Sequence, residues 1–131
     1  MANKNWSDIL GWGEDQVEDL RFTGYAYLRQ GKYEIALNFF QALVVLDPLS
    51  AYDRQTLGGI YLEMNEIEKA IRELESSLKL EPDHGPTLLN LCKCLLQKGK
   101  VKEGLKYARK LRKNEDRYIA NMAKALLLAY S

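Results

Sequence analysis

His84, Cys92 and Cys94 are the residues of this chain best suited to chemistry: one imidazole and two thiols, the makings of a metal site, a redox pair or an acid–base centre. Their spacing argues against all three. Cys92 and Cys94 sit two residues apart in a stretch that reads as helical, so their side chains point roughly 200° apart around the axis, beyond the reach of a disulfide. A metal would need more ligands, and His84 is the chain's one histidine. Both cysteines are expected as reduced, half-buried structural thiols. A lone histidine forms no triad, and the sequence has neither a glycine-rich phosphate loop nor a metal-spaced cluster. The expectation is a protein without enzymatic activity, metal or cofactor.

The chain has 131 residues, room for one core of ordinary size but not two. Hydrophobic residues make up 47% and charged residues 28%, a globular balance. A formal net charge of +1 gives no general argument for nucleic acid or an acidic membrane surface as partner. No apolar run nears the roughly 20 residues that cross a bilayer. The opening MANKNWSDILGWGEDQ lacks the sustained apolar segment of a signal peptide. A cytoplasmic protein is expected.

The elements that position these residues come in copies. LVVLDPLS (Leu43–Ser50) and SLKLEPDH (Ser77–His84) place Leu, an acid and Pro at Leu46-Asp47-Pro48 and, 34 residues on, at Leu80-Glu81-Pro82. The same offset relates Gly24 to Gly58, Tyr27 to Tyr61 and Ala36 to Ala70. A fainter third copy relates Leu57 to Leu91, and Gly31, Asn65 and Gly99 share one phase. Those three suit left-handed helix stops. Ile67, Ala70, Ile71, Leu74 and Leu78 recur at helical spacing as one apolar face. Gly24 and Gly58 would each cost about 1 kcal/mol inside a helix; a close approach of the paired helix explains them, with Ala36 and Ala70 as matching small residues. In the third copy Cys92, Leu95 and Gly104 stand where Gly, Tyr and Ala would be. At the doublets, Leu is expected to pack, Pro to turn the chain, and the acid to be free.

Seven helices are expected, at about 17–30, 33–46, 51–64, 67–80, 85–98, 101–113 and 116–130. The fold class is all-α: three helix-turn-helix repeats (17–50, 51–84 and 85–118) behind an N-terminal arm or short helix (1–16), with 119–131 the C-terminal part of a closing helix.

Residues 17–118 resemble tetratricopeptide repeats. That resemblance implies a right-handed superhelical array with a concave groove. Within the superfamily, GKYEIALNFFQALVVLDPLSAYDRQTLGGIY (Gly31–Tyr61) is similar to the first-to-second-repeat junction of the class II translocator chaperones of bacterial type III secretion. KCLLQKGKVKEGL (Lys93–Leu105) is similar to their third repeat. The implied function is a non-catalytic chaperone that holds secreted translocator subunits in the bacterial cytosol. Needle-subunit co-chaperones of the same system are the alternative reading, and a general repeat scaffold or adaptor is a third.

The resemblance also implies which side chains face the groove. Carried over, these are Glu18, Arg21, Tyr25 and Leu28 from the first repeat, Tyr52, Gln55, Gly59 and Leu62 from the second, and Leu89, Lys93 and Leu96 from the third. Such a set suits an extended client segment with apolar anchors. A two-repeat clamp for C-terminal carboxylates is not expected: its positions hold Arg21, Tyr25, Thr56, Pro86 and Asn90, and only Arg21 has suitable chemistry. Trp6, Ile9, Leu10 and Trp12 form an apolar tail read as a homodimer contact in preference to docking on the same chain. Between Lys98 and Arg117, nine Lys or Arg face Glu103, Glu115 and Asp116. With aromatics nearly absent there, this reads as a solvated outer face of the last helix pair and not as a nucleic-acid or acidic-partner site.

Overall fold

The computed structural model describes residues 10–131. From residue 14 onward these form seven helices: α1 (Glu14–Arg29), α2 (Tyr33–Leu46), α3 (Ala51–Glu63), α4 (Ile67–Leu80), α5 (Gly85–Gln97), α6 (Val101–Leu111) and α7 (Arg117–Tyr130). No strand occurs among the described residues. Helices α1 to α6 form three hairpins, α1/α2, α3/α4 and α5/α6, stacked in chain order, and α7 closes the array against α5 and α6. Trp6 and Ile9 lie outside the described residues.

The same turn is built three times. Gly31, Asn65 and Gly99 take φ of 73°, 61° and 88°, the left-handed conformation that ends a helix. At each, the following amide reaches back to a carbonyl five residues earlier: Lys32 to Tyr27 at 3.0 Å, Glu66 to Tyr61 at 2.8 Å and Lys100 to Leu95 at 2.8 Å. The residues themselves donate to Leu28, Leu62 and Leu96. This paired capping satisfies carbonyls that a helix end would otherwise leave unbonded. The second helices of the first two hairpins stop at Leu46 and Leu80, just before Pro48 and Pro82. The Ser50 hydroxyl then accepts from the Asp53 amide to start α3.

Within each hairpin one small residue lets the two helices touch. A Cβ on Gly58 would lie 2.7 Å from Leu74 and 3.3 Å from the Ala70 carbonyl; one on Gly24 would lie 3.0 Å from Phe40. The third hairpin exchanges the roles. There the first helix carries Cys92, whose Sγ donates to the Gly104 carbonyl at 3.1 Å, and the second carries Gly104, whose Cβ would meet Leu96 at 2.9 Å.

The core is a series of clusters, each spanning a repeat boundary. Val17, Ala36, Phe40 and Leu43 close on Leu57 and Ile60 of α3. Ala70 and Leu74 close on Leu91, Cys94 and Leu95 of α5. Leu88, Leu89, Cys92, Leu96, Leu105 and Ala108 close on Ile119 and Ala123 of α7. Both cysteines are fully buried, not half-buried as expected. Their opposite directions place them in different clusters, Cys94 against the second repeat and Cys92 against α6 and α7. Burial pushes both thiols up, Cys94 to about 11, so each stays protonated and unreactive.

Gly58→Val would force a branched side chain into Leu74. Overpacking of this kind costs about 1–3 kcal/mol, to be read as a lowered urea midpoint with an unchanged slope.

Candidate binding groove

A groove of about 360 Å³ runs along the first helices of the hairpins. It brings together seven of the residues that the sequence places in it: Tyr25, Leu28, Tyr52, Gln55, Gly59, Leu62 and Lys93. Tyr33, Thr56, Ile60, Glu63 and Asn90 also line it and were not anticipated there. Asn90 follows Leu89 on α5 and, with Lys93, which was expected there, is what the third hairpin contributes to the groove.

Leu89 and Leu96 are not in the groove. They are 3% and 4% exposed and belong to the cluster under α7. Leu89 is covered by the closing helix, and Leu96 fills the space that Gly104 leaves open. Their phase equivalents behave differently: Leu28 and Leu62, at the same position as Leu96, face a helix without such a gap and line the groove half-buried.

Arg21 is not offered to a ligand either. Its guanidinium grips the buried Asp53 carboxylate with two bonds, Nε to Oδ1 at 2.8 Å and Nη2 to Oδ2 at 2.6 Å. Nη2 also donates to Asp47 at 3.0 Å, and Nη1 to Glu18. Asp47 is the acid of the first Leu-acid-Pro doublet and is therefore paired, not free. The bond to Asp53 raises the Arg21 pKa still further, so the charge is permanent. This node ties α1 to the start of α3 at the first repeat boundary, and Glu18, expected in the groove, sits on its exposed side. It also leaves the carboxylate-clamp position without a free cation.

A run of rings forms the groove wall. Phe40 in the core meets Tyr25 edge-on at 4.9 Å; Tyr25 lies 6.4 Å from Tyr52; and Tyr52 meets His84 edge-on at 5.5 Å. Thr56 donates to the Tyr52 carbonyl at 2.9 Å, so its oxygen accepts the Tyr25 hydroxyl at 2.8 Å. Behind Tyr52, His84 Nδ1 is 2.7 Å from Thr87 Oγ1, Thr87 is 3.0 Å from Ser77 Oγ, and Ser77 donates to the Ala51 carbonyl at 2.8 Å. Tyr27 lies off this wall and packs on Phe39 at 5.5 Å, as intra-repeat packing requires. Along the floor, Gly59 lies beside the Asn90 and Gln55 side-chain amides, which would stand 3.3 and 3.9 Å from a Cβ there. The groove therefore offers one exposed aromatic face at Tyr52 and a half-buried one at Tyr25, two half-buried leucines and a pair of amides able to bond a peptide backbone.

A larger cleft of about 580 Å³ lies at the other end of α1, lined by Trp12, Val17 and Leu46 with Glu14, Glu18 and Asp47. Trp12 packs against the first core cluster of its own chain. Trp12 keeps part of its surface open there, and Leu10 is exposed.

Arg21→Met would leave Asp53 buried without a counter-charge and should cost about 3 kcal/mol or more. Asp53→Asn keeps an acceptor and leaves Arg21 with two acids, so its cost should be smaller, about 1–2 kcal/mol; urea denaturation of the two variants checks the order. Tyr25, its phenol held protonated by burial, should ionise at about 12. Because that folded value lies above the unfolded one, its contribution is complete below the ordinary phenol range and fades as pH rises through 12. Phenolate absorbance of wild type against Tyr25→Phe should lose its most alkaline step.

Models of the tetratricopeptide repeat match residues 61–127 and 23–50. Across nearly its whole length the chain is similar in structure to the type III secretion translocator chaperone SycD of Yersinia enterocolitica, at 25% identity and a TM-score of 0.83, covering 98% of this chain and 99% of that one. It is likewise similar to PcrH of Pseudomonas aeruginosa in complex with the chaperone-binding region of PopD, at 26% identity and 0.82, covering 92% and 94%. Among curated sequences, tetratricopeptide repeat protein 17 of Danio rerio is 32% identical over 59% of this chain. The chain spans only 7% and 5% of the length of the curated relatives it matches. Three capped hairpins at a 34-residue period, closed by a seventh helix, place this chain in the tetratricopeptide repeat family.

Proposed function

We propose that this chain is a non-catalytic chaperone of a bacterial type III secretion system, which holds a secreted translocator subunit in the cytosol by burying an extended segment of it in the groove. The observation that carries the reading is likeness over the whole chain to SycD and PcrH, closing helix included, together with an open groove at the concave face. The groove's chemistry supports it: Tyr25 and Tyr52 offer aromatic faces, Leu28 and Leu62 apolar contact, and Gln55 and Asn90 backbone partners. Burying the client's apolar residues would prevent their premature association. No helix of the described residues is long and apolar enough to cross a membrane.

A peptide spanning the chaperone-binding region of PopD is the probe, with calorimetry as the readout. Wild type should bind it, and Tyr25→Ala/Tyr52→Ala/Leu62→Ala should weaken binding by roughly a hundredfold, the scale expected for lost anchor residues. Equal affinity in the two proteins, with circular dichroism showing both folded, would sink the groove as the client site.

A further inference from the structure

The array is electrically lopsided. Residues 98–131 hold ten Lys or Arg against three acids, while the rest of the chain holds nine against fifteen. Two of these cations are used inside the fold: Lys98 pairs with Glu68 at 2.6 Å and Lys110 with Asp83 at 3.1 Å, both acids of the second repeat. Lys102, Lys106 and Arg109 are not. They follow one another at four- and three-residue spacing on one exposed side of α6, with Lys113 two residues past its end, and none has an ion-pair or hydrogen-bond partner among the described residues.

Folding does not explain this row. Like charges one helical turn apart destabilise a helix. The macrodipole welcomes Arg109 and Lys113 near the C-terminus but opposes Lys102 in the first turn and Lys100 at the N-cap. The opposite side of α6 is fully engaged, with Leu105, Ala108 and Leu111 in the core, and α6 contributes nothing to the groove. The row is thus a second surface, independent of the first.

Against the sequence reading of this stretch as a solvated outer face, we infer that this row on α6 docks an acidic segment of a partner protein while the groove is occupied or empty. A segment with carboxylates one helical turn apart matches the spacing from Lys102 to Arg109, about 10 Å of helix. Longer polyanions fit poorly. A duplex or lipid surface extending past the row meets Asp83, Glu103, Glu115 and Asp116 at its margins. The one ring on α6, Tyr107, is half-buried against the core, which leaves little of it for base stacking. No apolar side chain of α6 is left outside to enter a membrane.

The test uses the full chain and a fluorescent helical peptide carrying Glu at three- and four-residue spacing, with its Gln counterpart as control, followed by anisotropy at fixed ionic strength. Lys102→Glu/Lys106→Glu/Arg109→Glu should weaken binding of the Glu peptide at least tenfold, leaving affinity for a groove peptide unchanged. Arg29→Glu/Arg72→Glu/Lys79→Glu, an equal charge change elsewhere, should stay within twofold, and the Gln peptide should not bind. Equal loss in the two variants would reduce the effect to net charge and overturn the proposal. So would displacement of the peptide by duplex DNA or phosphatidylglycerol vesicles at lower concentration than by unlabelled Glu peptide. A doubled mass in sedimentation that the row variant alone abolishes would assign the row to a second copy of this chain and likewise overturn it.

Discussion

Everything in this fold depends on two helices touching at one small residue. Gly24 and Gly58 let the second helix of their hairpins approach until a methyl group would collide with Phe40 or Leu74. Close packing of this kind fixes the distance and crossing of the pair, since a dense interior has no slack to absorb a shift. The fixed hairpin then presents its first helix at a repeatable height, and a row of such helices makes a groove. The third hairpin meets the same constraint with the glycine on the opposite helix, at Gly104, and a cysteine opposite it.

That exchange has a local effect on binding chemistry. With the gap on α6, Leu96 turns inward to fill it, and the closing helix covers Leu89. The third repeat therefore gives the groove only polar side chains, Asn90 and Lys93, where the first gives tyrosine and leucine surface and the second a mixture of Tyr52 and Leu62 with Gln55, Thr56 and Glu63. An apolar end and a polar end in one groove define a direction for any segment lying along it. The Arg21–Asp53 pair works at the apolar end, fixing how the first repeat meets the second without presenting charge to the ligand.

Much of this was legible in the residues. The 34-residue interval gave the hairpins, the left-handed stops at Gly31, Asn65 and Gly99, and the close approaches at Gly24 and Gly58, because each follows from local geometry repeated in phase. The family resemblance, carried over in phase, also pointed to seven residues that line the groove. What it could not convey is what lies across a boundary. Asp53 pairs with Arg21 over 32 residues, off the period, so nothing in the pattern marks it, and the same holds for Asp47. Leu89 and Leu96 keep the groove's phase yet lie under α7, a helix outside the repeats. Trp12 reads as unusual tail content, and its packing on the first cluster of its own chain is a contact the repeat pattern does not carry.

The bonds behind Tyr52 carry a further consequence. Ser77 has one hydroxyl proton and gives it to the Ala51 carbonyl, which can only accept. Thr87 must then donate to Ser77, and its own oxygen is left to accept from His84, so the imidazole carries its proton on Nδ1. A carbonyl of α3 thus dictates the tautomer of a ring three bonds away. The other nitrogen, Nε2, faces Glu81 at 3.9 Å, and a second proton arriving there disturbs no link in the relay. The joint that steadies the aromatic wall is built to keep its shape whether its histidine is neutral or charged.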